Sequence, residues 1–550
     1  MKIIHLLVTF VLILIFSSCM KGESVDLVIH NAQIHTLDAN DAIESAVAIK
    51  NGIIIEVGPE RQILNKYSAD EYIDAQQKHI YPGLTDAHGH IMSYVRKKLG
   101  VDLSGCRSYD ELIVRVQKYQ AKNKTDFIIG SGWDQTLWGE ERLPTNERLN
   151  EVFPNISVAL VRVDGHSMLA NEHLLTFSDV IATVTNDPVQ YQGGYFIYLS
   201  DSTPSGILID NAMNPIFELV PTYSRKDLTA SLKEVQNELY SYGITGVHEA
   251  GITHKDFKII ERWIEQDILD LNIYAMLMPS DENIAFARKN RIYINKNLSI
   301  RSFKVFADGA LGSRGAFLKN PYEDEPSTRG HLTTSWEEIE RIARLCEETG
   351  YQMNTHSIGD STNRLMLSLY QHVFKTNPDH RWRIEHAQVI DPRDLPELAL
   401  AGAFPSIQPT HAVTDHSWVE SRLGSTRMDH AYAYQSILKE FRVAAIGTDF
   451  PFDHLDPFRT IHAATVRKDA ENRPTGGFMP EQSISLDDCI RGMTQWAAMA
   501  AFQEDVLGTL EKGKDATLVI FEDQLATYSS FRNNFANTVF IKGKNVYSVE

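Results

Sequence analysis

The chain has 550 residues, 43% hydrophobic and 23% charged, proportions that allow a large buried core. Its formal net charge of −19, with no Lys/Arg-rich run, excludes nucleic acid as an expected partner. The 4 cysteines, Cys19, Cys106, Cys346 and Cys489, are too few and too scattered for a disulfide framework or a cysteine-based metal site.

The first element is a targeting signal over residues 1–18. Lys2 opens a short positive region, and Ile3 to Phe16 is apolar apart from His5 and Thr9. This stretch is too short for a confident membrane span and reads as a secretory signal. Phe16-Ser17-Ser18-Cys19 resembles a bacterial lipobox. That resemblance implies cleavage before Cys19, a lipid on its thiol, and a protein held at a membrane of the cell envelope by that anchor alone. An ordinary signal peptide with an incidental cysteine is the alternative. Exchange of Cys19 for serine separates the two: loss of the anchor moves the protein from membrane to soluble fractions, and membrane retention counts against the lipobox.

Residues 24–80 read as short antiparallel strands. Ala46–Lys50 and Ile53–Val57 flank Asn51-Gly52, a type I′ hairpin signal. Residues 505–550 offer matching strands at Ala516–Phe521, Thr538–Ile541 and Val546–Val549. Neither end makes a stable sheet alone, so one β-sandwich built from both termini is expected.

Residues 81–504 alternate strands with helices. Ile80–Leu84 is an apolar run that suits the end of a buried strand, and His88 and His90 follow at i, i+2, on one face of extended backbone. Gly89 between them leaves room for an ion or substrate beside the backbone. Further strands are expected at Thr245–Glu249, Ile273–Leu277, Ser302–Phe306, Tyr351–His356, Trp382–His386, Ala403–Gln408 and Ala444–Asp449. Ser335-Trp336-Glu337-Glu338 is a capping box for a helix that Gly350 closes. Eight such strands predict a (β/α)₈ barrel of the α/β class with its site at the C-terminal strand ends. Roughly 150 residues separate the first two strands, too many for a loop, so a lobe over about residues 100–240 is expected. Its Gly132-Trp133-Asp134 and Asp164-Gly165-His166 runs make Trp133, Asp134 and His166 candidate substrate contacts, although ordinary turns use the same residues.

The expected strand ends carry the chemistry. Lys304 sits in an apolar strand, a costly place for a lysine that is neither paired nor modified. His356, His386 and Asp449 close three later strands. Together with His88 and His90 they make half-site and remainder of a metal centre. His411, in Gln408-Pro409-Thr410-His411, is an oxyanion or substrate contact or else a plain loop histidine.

These residues carry a resemblance to the amidohydrolase superfamily, most of all to its YtcJ-like branch, which includes N-substituted formamide deformylase. It spans the chain from Val25 onward. Beyond the metal pattern it rests on Pro82–His90, Gly132-Trp133-Asp134, Asp308–Arg314, His356–Asp360, Ile384–Gln388 and Gly508–Ala516, with Thr517 where the branch usually has Asp. The resemblance implies two divalent cations, zinc by expectation. His88, His90 and Asp449 would hold the first, and His356 and His386 the second. Lys304 would bridge them as a carbamate, with Asp449 also moving the proton. It implies hydrolysis of a C–N bond in an amide or N-substituted formamide, a small molecule. Esters, cyclic amides and carbamates fit the same chemistry, and a non-catalytic small-molecule-binding lipoprotein is the reading from another class. The oligomeric state, a homodimer included, stays open.

Overall fold

A computed structural model describes residues 22–139, 142–187, 191–526 and 535–549. The expected signal peptide and Cys19 lie outside them. The chain divides into two compact units: one runs up to Gly83 and adds Asp505–Gln524 and the segment from Ala536, and the other is Leu84–Glu504 with Leu525–Phe535.

The first unit is built on one sheet of eight strands. His79–Pro82 runs parallel to Glu23–His35 on one side and antiparallel to Leu518–Phe521 on the other. It therefore joins strands from both ends of the chain into one hydrogen-bonded sheet, where two packed sheets were expected. Asn51 and Gly52 at φ 51° and 76° make the hairpin turn between Ile43–Lys50 and Ile53–Gly58. Strand alternation then sends Leu27, Ile29, Val47 and Ile49 into a core with Leu518 and Phe540. Val28, Ala46 and Ala48 cluster with Ile63 of the helix Glu60–Lys66. The run Ile80–Leu84 is not one strand, because Ile80 and Tyr81 pair here and the next strand starts at Leu84.

The second unit holds eight parallel strands: β1 (Leu84–Gly89), β2 (Ile244–Ile252), β3 (Asn272–Leu277), β4 (Leu298–Phe306), β5 (Gln352–Ser357), β6 (Arg383–His386), β7 (Phe404–Ile407) and β8 (Ala445–Ile446). Each pairs with the next in sequence order. The first and last meet just past β8, where the Asp449 N–H donates to the His88 carbonyl at 2.7 Å and the His90 N–H donates to the Phe450 carbonyl at 2.8 Å. Helices cover the outside. Thr253, Ser280 and Ser335 cap three of them by accepting the N–H three residues on. The Ser335-capped helix Trp336–Thr349 buries Ile339, Ile342 and Leu345, each contributing about 1.5–3 kcal/mol. Gly350, at φ 74°, ends it.

Between β1 and β2 lies a second sheet of six strands, from Val101–Asp102 to Pro204–Ile209. It has its own core around Leu112, Val116, Trp133, Leu160 and Ile207. Among the described residues no helix is long and apolar enough to cross a membrane.

Candidate metal centre

Seven residues converge, six from five strand ends and one from a short helix. His88 lies in β1, and His90 is one step beyond it at the start of the helix Ile91–Lys97. Lys304 is in β4, His356 in β5, His386 ends β6, and Asp449 follows β8. His411 joins them from the short helix Pro409–Asp415 after β7. His386 and Asp449 hold left-handed backbone at φ 73° and 65°, unusual for non-glycine residues and a mark of functional sites.

Donor atoms form two groups within 4.8 Å: His88, His90 and Asp449, then His386, His411 and Asp449. Asp449 belongs to both. Its Oδ1 is 3.0 Å from His90 Nε2 and 3.6 Å from His88 Nε2, and its Oδ2 is 3.7 Å from His411 Nε2. Burial pushes the Asp449 carboxyl up, but His88 and His90 outweigh it and keep the acid ionised. Burial also pulls the His88 imidazole down to about 4 and those of His356 and His386 well below the usual range. Neutral imidazoles are what a divalent cation binds. Among the described residues, His356 Nε2 and His386 Nδ1 are buried without any hydrogen-bond partner, a costly state that a cation would relieve. The donor set therefore fits a divalent metal.

The structure does not place every expected ligand equally. His356 stays outside both groups; its ring lies 4.5 Å from that of His386, and its Nε2 is 3.7 Å from Asp308 Oδ1. His411, expected as an oxyanion or substrate contact or as a plain loop histidine, stands in the second donor group with His386 and Asp449. Lys304 is buried, with its Nζ 3.2 Å from His88 Nε2 and, among the described residues, no carboxylate at ion-pair distance. Burial lowers its pKa to about 8, against the pull of Glu385 and Asp449. Gly89 does not leave space for an ion, because a Cβ there would sit 2.3 Å from the Phe450 ring, which occupies that side.

A layer the sequence reading missed lies behind His88. Its Nδ1 is hydrogen-bonded to Glu385 Oε2. Arg383 donates to Glu385, to the Ala87 carbonyl and to Ser406 at 3.0, 2.7 and 2.7 Å. Both charged residues are fully buried. Such a carboxylate fixes the tautomer and aim of a metal-binding histidine. The available signal was the i, i+2 spacing of Arg383 and Glu385, which puts both on one face of the short strand Arg383–His386. Glu385→Gln is expected to weaken metal binding by roughly 10–100-fold with little loss of fold. Titration with a competing chelator measures this, and unchanged affinity would leave Glu385 as a partner of Arg383 only.

The cluster opens into a cavity of about 1420 Å³, whose wall includes His166 and Asp210 from the inserted lobe. Trp133 and Asp134, expected there, are elsewhere. The Trp133 indole is fully buried in the lobe core and donates to the Leu160 carbonyl at 2.7 Å. Asp134 accepts from the Thr136 N–H and from Arg162, a turn and an ion pair inside the lobe.

The amidohydrolase family profile matches residues 71–547. YtcJ of Bacillus subtilis is 27% identical over 89% of this chain and 93% of its own length. The N-substituted formamide deformylase of Arthrobacter pascens is 23% identical over 90% of this chain and 93% of its own. Among solved structures, an uncharacterized metal-dependent hydrolase from Pyrococcus horikoshii superposes with a TM-score of 0.73 at 25% identity, covering 92% of this chain and 99% of that one. Site chemistry, fold and similarity along almost the full length agree: the chain is a metal-dependent hydrolase and belongs to the amidohydrolase family.

Proposed function

We propose that this hydrolase cleaves a C–N bond in a small amide or N-substituted formamide, using two zinc ions. The observation that carries the reading is Asp449, an ionised carboxylate shared by both donor groups and facing the cavity. Bound there, divalent cations would supply an acidic water and a Lewis-acid contact for a carbonyl oxygen. Asp449 takes the water's proton and delivers it to the leaving nitrogen, which departs as a neutral amine. His88 stays neutral and is held in position by Glu385, with His90 beside it on Asp449. His411, close to Asp449 Oδ2, steadies that carboxylate or the substrate oxygen. The similarity to a formamide deformylase supports amides over esters. Exported and lipid-anchored through Cys19, the enzyme would meet its substrate outside the cytoplasm.

Elemental analysis of the mature protein, paired with a screen of N-formyl and N-acyl compounds, esters, cyclic amides and carbamates, tests this reading. Close to two divalent ions per chain and turnover of an N-formyl or N-acyl compound are expected. Turnover confined to esters would overturn the C–N assignment. Full metal loading with no turnover at all would favour a binding protein.

A further inference from the structure

The lobe brings one side chain to the metal cluster that metal binding does not use. His166 lines the cavity, and its ring centroid lies 5.2 Å from that of His356. One nitrogen is committed, since Nδ1 is 2.6 Å from Asp210 Oδ1. Nε2 has no protein partner among the described residues. Asp210 is in turn saturated: Oδ2 is 3.1 Å from His331 Nε2, and its backbone N–H donates to the His166 carbonyl at 3.0 Å.

This arrangement is held at a cost. Asp210 is a buried carboxylate on left-handed backbone, φ 45°. Gly309 and Gly315, which bracket the turn after β4, pack directly on it. A Cβ at either would sit 2.7 or 2.9 Å from Asp210 Oδ2. Gly309 of the Asp308–Arg314 run, and Gly315 just past it, are thus explained by a carboxylate from another part of the chain. On the other side, a Cβ at Gly165 would meet the Phe452 ring at 2.5 Å, and that ring packs edge-on to His90. The turn carrying His166 is therefore clamped between the loop after β4 and the loop after Asp449. A simple tie between lobe and barrel would need neither an imidazole with a free nitrogen nor its placement beside His356 at the edge of the metal cluster.

We infer that His166 contacts the substrate, hydrogen-bonding through Nε2 beside the scissile bond, and that Asp210 is the positioning residue that fixes its ring. The two ends of the cluster then divide the work: Asp449 stands with His88 and His90 and handles the proton, while His166 stands with His356 and holds the substrate. The inference rests on the proposed hydrolytic function but not on which bond is cleaved.

The test uses the full, metal-loaded chain and whichever compound the wild type turns over. His166→Ala is expected to lower kcat/KM by about 100-fold at unchanged metal content, with partial rescue by added imidazole. Asp210→Asn is expected to lower it by roughly tenfold, also at full metal content. Histidine nitrogen NMR gives a readout independent of turnover. The His166 Nδ1 proton should resonate far downfield and lose that shift in Asp210→Asn, and N-methylformamide should move the Nε2 signal. A His166→Ala variant within about twofold of wild type would overturn the inference. So would an Nε2 signal indifferent to N-methylformamide. Loss of metal from Asp210→Asn in step with activity would make the pair a structural tie instead. If the wild type cleaves no C–N bond, the proposed reaction fails, while ester turnover or the NMR shift still decides the role of His166.

Discussion

His88→Ala is expected to empty the metal site and to reduce turnover by more than the roughly 10–100-fold that loss of a ligand's supporting carboxylate costs. No other side chain here touches so many members of the cluster. The His88 ring contacts Lys304, Glu385 and Asp449 and packs against the rings of His90 and His386. It is also neutral and fully buried, so its removal leaves no unpaired charge. Glu385 keeps Arg383, and the barrel strands keep their backbone pairing. The stability loss should therefore stay within the ordinary range of about 1–3 kcal/mol. Elemental analysis, turnover and circular dichroism on one preparation check the three claims together. Retained turnover at reduced metal content would move the chemistry away from this cluster.

Lys304→Ala is the second large effect. An ammonium with no carboxylate at ion-pair distance is expensive to bury, and burial already holds its pKa near 8. The neutral amine that this favours can add carbon dioxide, and the resulting carbamate is the anion a pair of cations would bind. The direction with pH follows: at a fixed concentration of dissolved carbon dioxide, more of the amine is uncharged as pH rises toward 8, so activation should speed up and then level off above it. Lys304→Ala should lose metal and activity, with partial recovery from a short carboxylic acid. Lys304→Arg should not substitute, because a guanidinium stays charged and forms no carbamate. Mass analysis under carbon dioxide, or density at Nζ, shows the added carboxyl group. A free ammonium beside a fully loaded site would rule the bridge out and favour a single-ion mechanism.

Much of the barrel was legible because the strands it needs are apolar runs that end in chemistry. Ser335 and Gly350 bracket their helix through side-chain and backbone rules that act over four residues. What a linear reading could not supply was pairing at a distance. Ile80–Leu84 was read as one strand because apolar residues continue past Gly83, and only the two partners of His79–Pro82, Glu23–His35 and Leu518–Phe521, separate its first residues from the barrel strand. Gly89 looked like room for an ion until the Phe450 ring was seen to fill it. Trp133 and Asp134 attracted attention as aromatic and acid beside glycine, yet their partners, Leu160 and Arg162, are internal to the lobe. Arg383 and Glu385 were overlooked because a histidine beside them took the functional reading. Their importance appears only once the other face of β6 is known to be as dry as the first.

The joint between β1 and the segment after β8 has a consequence for how the protein matures. His90 and Asp449 are 359 residues apart in sequence, yet the peptides that carry them exchange the hydrogen bonds that bring the first and last strands together. Until the last strand docks, a growing or refolding chain lacks Asp449, the carboxylate that both donor groups share. Metal acquisition is then a certificate of completion, issued only when topology is correct from end to end. A stalled or truncated chain cannot pass as enzyme, and the rate of metal uptake during refolding should lag behind the appearance of secondary structure.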